Sequence, residues 1–276
     1  MKSSITIATA FVLILAGCQK PTEVQLIDEP MFDLEEAIDP DTSFERAAVD
    51  TTALLPSEQQ RYTGFVTLTY ARTDVVGFSR SRVVARVVVE DKGQVLEFNG
   101  RRMFKSRQLG LVRLNGFLLL PRERFFGGMM GGPEYLREIT DYEPGRSYTF
   151  SADSLGSVVL RAPEVVEVKA PTSGSVVRRD HDLLMHWRGR GDLMIIISSA
   201  TLRPTNLMTT PLLRLRLRQN NGHVMLPKRV INGLPPGLYL FTFVISNREE
   251  RPLSTRFGGK MLVQASSLHN ILVDVR

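Results

Sequence analysis

The sequence predicts an all-β protein, two consecutive antiparallel β-sandwich-like domains behind a disordered N-terminal tether. Three observations carry that reading. Apolar and polar residues alternate in short runs, as in Val66, Leu68 and Tyr70 against Thr67 and Thr69, which is the period of a half-buried strand. Asn-Gly pairs at 99–100, 115–116, 221–222 and 232–233 punctuate those runs, and both residue types tolerate the positive φ of a tight hairpin turn. Residues 19–60, by contrast, are acidic, poor in aromatic side chains and interrupted by Pro21, Pro30, Pro40 and Pro56, so they bury too little apolar surface to offset their ordering entropy.

Taken in order, the chain begins with an export signal. Lys2 precedes an apolar run through Ile5, Ile7, Phe11, Val12, Leu13, Ile14 and Leu15, and the small residues Ala16 and Gly17 lead into Cys18. A charged start, a short apolar centre and a small-residue cleavage site define a secretory signal, and the run falls short of the ~20 residues that cross a bilayer. Leu15-Ala16-Gly17-Cys18 resembles the lipobox of bacterial lipoproteins. The resemblance implies removal of residues 1–17, a diacylglycerol thioether on Cys18 and acylation of the new amino group. Cys18 is the only cysteine of the chain, and a thiol is the nucleophile that such a modification needs. Two or three acyl chains together give stable attachment where one does not. Gln19 follows, not the Asp that retains lipoproteins in the inner membrane of many Gram-negative envelopes. The expected location is therefore the bacterial cell envelope, lipid-anchored at the outer membrane.

Charge divides the mature chain. Residues 19–60 carry 11 acidic and two basic side chains, a net of −9, whereas residues 61–276 carry 32 basic and 18 acidic ones, a net of +14. Arg dominates the cations of the body, a bias that suits bidentate anion binding and also follows from a genome rich in G and C. As a flexible coil the 42-residue leader would span roughly 35–40 Å. Within it, Met31–Ile38 is the stretch expected to form a helical turn or two. Tethering would hold acids such as Asp33, Glu35 and Glu36 near an Arg face of the body at about millimolar local concentration, masking that face.

The first β domain is expected over residues 61–162. Val83, Ala85, Val87 and Val89 face one way, with Arg80, Arg82 and Arg86 opposite, and Asp91-Lys92-Gly93 reads as a turn. Further strands follow at 109–114, 117–120, 147–151 and 156–161. Between them, Phe125-Phe126-Gly127-Gly128-Met129-Met130-Gly131-Gly132-Pro133 is a glycine-rich apolar segment, a candidate contact loop through Phe125, Phe126, Met129 and Met130. Residues 134–139 read as a short helix.

The second domain is expected over residues 163–276. Its strands end at Trp187, cover Leu193–Ile197, alternate through Leu213, Leu215 and Leu217 against Arg214, Arg216 and Arg218, and return through Gly237–Val244. Pro171-Thr172-Ser173-Gly174, the strand ending in Trp187, Leu226-Pro227 and the Pro236-Gly237-Leu238-Tyr239 strand resemble an immunoglobulin or fibronectin type III-like sandwich, in which one Trp fills the core. The cysteine pair of antibody domains is absent, and the layout as a whole resembles two-sandwich envelope lipoproteins.

Motifs for catalysis are missing. Gly77-Phe78-Ser79-Arg80-Ser81 lacks the final glycine of a nucleophile elbow. No phosphate loop or dinucleotide fingerprint occurs. His181 and His186, five apart, point to opposite faces of a strand, and no metal site or cofactor is expected. Glu134, Glu138, Asp141 and Glu143 form a local acidic group without Ca²⁺-ligand spacing. Arg80, Arg82, Arg86, Arg214, Arg216 and Arg218 are the candidate anion-binding residues, against the plain reading that an alternating strand turns its polar side chains to solvent. The expected function is a non-enzymatic binding or assembly module, for an anionic polysaccharide or an envelope protein, with nucleic acid excluded by the lack of stacking aromatics. The rivals are a structural spacer and a hydrolase whose site is spread over loops.

Overall fold

A computed structural model describes residues 32–36, 61–75, 77–98, 101–126, 129–202, 207–217, 219–253 and 257–276. The signal segment, Cys18, most of the leader, Asn99-Gly100 and Arg218 lie outside them. The described chain is nearly all strand, as the alternation predicts. Ahead of the body stands β1 (Phe32–Glu36). The first half continues with β2 (Gly64–Val75), β3 (Phe78–Phe98), β4 (Arg101–Ser106), β5 (Val112–Leu114), β6 (Phe117–Leu118), β7 (Leu120–Phe126), β8 (Met129–Ile139), β9 (Ser147–Ala152) and β10 (Gly156–Arg161). The second half holds β11 (Glu167–Ala170), β12 (Val176–Val177), β13 (Leu183–Arg188), β14 (Leu193–Leu202), β15 (Leu207–Leu217), β16 (His223–Leu226), the short helix α1 (Lys228–Asn232), β17 (Gly237–Pro252) and β18 (Lys260–Val275).

One large sheet runs β1-β15-β14-β17-β18-β2-β3-β8-β7, with β12 beside β18 and β4 beside β3. Two small sheets, β10-β9-β5-β6 and β11-β13-β16, accompany it. Both pack on the same face. Val263 and Ala265 of β18 join the core under the first small sheet, with Leu68, Ala85, Tyr148 and Phe150. Ile271, Val273 and Val275, in step with them along the same strand, join the core under the second, with Trp187, Ile195, Phe241 and Phe243; residues two apart on a strand share a face. The segments 61–162 and 163–276 thus each supply one small sheet, while β18 extends through both cores. Leu253, Phe257 and Met261 complete the first core from the far end of the chain. Pairing is antiparallel except that β18 runs parallel to β2 and to β12. The β18–β2 junction joins strands from opposite ends of the body, where no hairpin could dictate the direction.

Local expectations meet the structure unevenly. Asn115 (φ 47°) and Gly116 (φ 85°) make the predicted two-residue hairpin turn between β5 and β6. Asp91-Lys92-Gly93 does not reverse the chain. β3 continues through it with a register shift between Asp91 and Val95, and the Asp91 carboxylate accepts the Gly93 N–H at 3.0 Å. The helix expected over 134–139 is instead part of β8, because Tyr135 is needed in the core and its hydroxyl accepts the Leu109 N–H at 2.8 Å. Within the Phe125–Pro133 segment, expected as a loop, Phe125 and Phe126 belong to β7 and 129–133 to β8, with Phe125 opposite Met130 and Phe126 opposite Met129, while Gly127 and Gly128 lie outside the described residues. Within 31–38, where a helical turn or two is expected, the described residues 32–36 are strand β1, which pairs along the edge of β15. Of the tether, these five residues belong to the large sheet. Trp187 does fill the second core: it packs on Phe243 at 5.7 Å between ring centroids and donates its indole N–H to Asn220 Oδ1 at 2.8 Å.

Candidate functional site

The Arg-bearing strands occupy two places on the large sheet. On β15, Leu215 and Leu217 are buried as expected, but Arg214 is buried too, at 3 % exposure. It does not belong to a solvent face. Its Nε lies 2.8 Å from the Met194 Sδ of β14, and the register sets it beside Ile196 on one side and Glu35 on the other. Arg216 is exposed, and Asp33 stands opposite it. The acidic leader strand and the basic edge strand are therefore paired residue by residue, acid against Arg at two alternate positions, an arrangement that favours this register over its neighbours. Sequence alternation in both segments is the signal that foretells the match.

On β3, Arg80 and Arg82 are exposed, and among the described residues no carboxylate pairs with either. Arg86 is committed: its guanidinium meets Glu134 of β8 at 2.9 Å. Beside that pair, Arg124 of β7 lies 3.9 Å from Glu90 of β3. Burial pulls the Arg124 pKa down and pushes the Glu90 carboxyl up, with their mutual attraction opposing both. The acidic group at 134–143 is accordingly divided. Glu134 serves Arg86, Asp141 and Glu143 flank Arg146 at 3.4 and 3.6 Å, and Glu138 is exposed.

Of the candidate contact residues, Met130 is 59 % exposed, and the side chains of Phe125, Phe126 and Met129 lie outside the described ones. Near the base of the same hairpin, Phe117 and Leu120 are also exposed. The Arg137 guanidinium lies 5.3 Å from the Phe117 ring centre and donates to the Leu118 carbonyl at 2.8 Å. Gly132 (φ 78°) lets β8 pass close to β4, since a side chain there would collide with the Ser106 carbonyl. A cavity of about 10 Å³ between Val66, Val87, Val112, Phe150 and Val158 is apolar and holds at most one water.

A polar cluster that the sequence does not announce joins residues almost 200 positions apart. Asp74 of β2 receives Arg72 Nε at 3.1 Å, Ser79 Oγ at 2.6 Å and His269 Nε2 of β18 at 2.9 Å. Partial burial pushes the Asp74 carboxyl up, but these hydrogen bonds outweigh it and hold the pKa at about 2. The other ring nitrogen, His269 Nδ1, accepts the Val168 N–H at 2.8 Å. A backbone amide only donates, so the imidazole proton sits on Nε2 and points at Asp74. Burial lowers the His269 pKa, opposed by Asp74, and the ring is neutral at pH 7. Ser, His and Asp are present, yet in the wrong order for a nucleophilic triad, which needs the imidazole between hydroxyl and carboxylate. Here the carboxylate is in the middle and the second imidazole nitrogen is already engaged. The cluster fastens the 163–168 segment to the large sheet, helped by Ser267 Oγ, which accepts the Val166 N–H at 2.9 Å. Compared with known proteins, the chain matches no protein family model and no curated protein.

Proposed function

We propose that this chain is a lipid-anchored, non-enzymatic binding or assembly module of the bacterial envelope, held at the outer membrane through Cys18 and directed at an acidic partner, an anionic polysaccharide or an envelope protein. The observation that carries the reading is the β1–β15 pairing. The basic edge of the large sheet accepts an extended acidic segment, with Asp33 opposite Arg216 and Glu35 opposite Arg214. A strand that replaces β1 on this edge would meet the same backbone donors and acceptors. The exposed pair Arg80 and Arg82 extends the basic character to a second strand.

Two experiments test this. Exchanging Arg80, Arg82 and Arg216 for Ser should lower retention of the chain on a heparin or acidic-polysaccharide resin at low salt, and the difference should vanish at high salt as screening removes it. Equal retention at low salt overturns the acidic-partner reading. Separately, Cys18→Ala should release the chain from the membrane fraction, and equal extraction of both forms without detergent overturns the anchor. A structural spacer is the second reading. It is favoured by β17 and β18, each 16 residues long, hence about 50 Å of continuous strand. A spacer would keep its place in an envelope complex after the Arg exchanges, whereas a binding module would lose its partner.

A further inference from the structure

We infer that His186 and His223 form a surface site for a transition-metal ion, with Cu²⁺ as the preferred occupant. The two residues are directly opposed in the antiparallel β13–β16 pair, and their ring centroids are 5.7 Å apart, the rings inclined at 61°. One position along, the Trp187 N–H bonds to the Gly222 carbonyl at 2.9 Å, so Trp187 and Gly222 are a hydrogen-bonded pair. Because the two kinds of pair alternate, His186 and His223 make a non-hydrogen-bonded one, the kind whose side chains approach most closely. Met185, Trp187 and Val224 turn into the core, which puts both imidazoles on the outer face, where both are exposed. Two imidazole nitrogens bound cis to one Cu²⁺ ion at about 2.1 Å each are roughly 3.0 Å apart at the right angle of a tetragonal site, within reach of rings at this separation.

The surroundings favour a ligand role. His223 Nδ1 lies 3.3 Å from the Asn221 carbonyl. A carbonyl only accepts, so this contact places the ring proton on Nδ1 and leaves Nε2 as the outward lone pair, the backbone-carbonyl arrangement that orients metal-binding imidazoles. Met225, 47 % exposed, follows two residues along β16 on the same face and offers a soft thioether next to the pair. Among the described residues, no group of three or more His, Cys, Asp or Glu gathers around an ion. The remaining positions therefore fall to water, to Met225 or to a partner's donor. An imidazole pair of this kind binds Cu²⁺ more tightly than Ni²⁺ or Zn²⁺ by the ordinary order of divalent affinities. The sheet holds the two rings in place beforehand, so little freedom is lost on chelation. Sequence spacing conceals the pair, which is 37 positions apart and joined only by the β13–β16 register.

The test is a titration of the full chain with Cu²⁺, in a Cys18→Ser background so that the thiol does not compete. Calorimetry and electron paramagnetic resonance should report one ion with two nitrogen ligands. His186→Thr and His223→Thr should each weaken binding about tenfold or more, as expected for loss of a chelate partner, and each should reduce the nitrogen count to one. His181→Thr should leave both readouts unchanged. Undiminished affinity in both the 186 and 223 variants overturns the inference, as does a nitrogen count that either exchange leaves unchanged. Should a variant misfold, the unsubstituted pair supplies the second measurement: Cu²⁺ should shield His186 and His223, and not His181, from diethyl pyrocarbonate, and equal modification of all three with and without the ion overturns the site.

Discussion

His269 sits on β18 with one ring nitrogen on a carboxylate and the other on a backbone amide, and the amide contact requires the neutral ring. Its pKa in the folded chain is below the ordinary 6.5 because burial disfavours the charged form. The unfolded chain therefore binds this proton first as the pH falls, and folding stability declines from about pH 6.5 downward. Asp74 acts lower on the scale. Its folded pKa is about 2 against an ordinary 3.8, so its contribution is present above pH ~4 and lost as the pH falls toward 2. We expect the melting temperature to drop in both ranges, and His269→Gln to flatten the upper one. An unchanged profile between pH 7 and 5 in that variant would remove His269 as the cause. Asn220 is a second such residue. It accepts the Trp187 indole N–H at 2.8 Å and donates to the carbonyls of Gly189 and Gly191 at 3.0 Å each. Asn220→Ala strands a mostly buried indole donor and should destabilise by about 1–3 kcal/mol, measured by urea unfolding.

Among elements, β1 is the one that the acidic leader contributes to the large sheet. It is five residues long and pairs on one side, with β15. Opposite charges directly across an antiparallel pair are worth about 0.2–1 kcal/mol each, and like charges reverse the sign. Asp33→Lys with Glu35→Lys would set two cations against Arg216 and Arg214. The expected result is faster amide exchange along Leu213–Leu217, with β14 and β17 unaffected. Unchanged exchange at those amides would mean that the backbone ladder suffices without the charges.

At the scale of the whole molecule, β18 passes through both cores, and the large sheet is continuous from β15 to β8. Two cores built on the same strand should unfold together. Leu68, fully buried in the first core, and Phe241, fully buried in the second, offer the comparison. Leu68→Ala should cost about 2–5 kcal/mol and Phe241→Ala about 3–5 kcal/mol. Each should shift one calorimetric transition as a unit. A scan that splits into two transitions, with each variant moving only one, would show independent domains.

The sequence by itself determined the strand content, because alternation such as Val83-Ala85-Val87-Val89 against Arg80-Arg82-Arg86 is a local property of a half-buried strand. It also determined the hairpin at Asn115-Gly116, whose positive φ values belong to those two residues, and the core role of Trp187. What only the tertiary structure decided is which strands meet. The parallel β18–β2 pairing joins residues about 200 positions apart, and no local pattern encodes a partner at that distance. Asp74 with His269, and His186 with His223, come together for the same reason. Arg214 shows the converse: its alternation reads as solvent-facing, yet it is buried against Met194. Period two separates the faces of a strand, but which face meets water depends on what the rest of the fold lays over it.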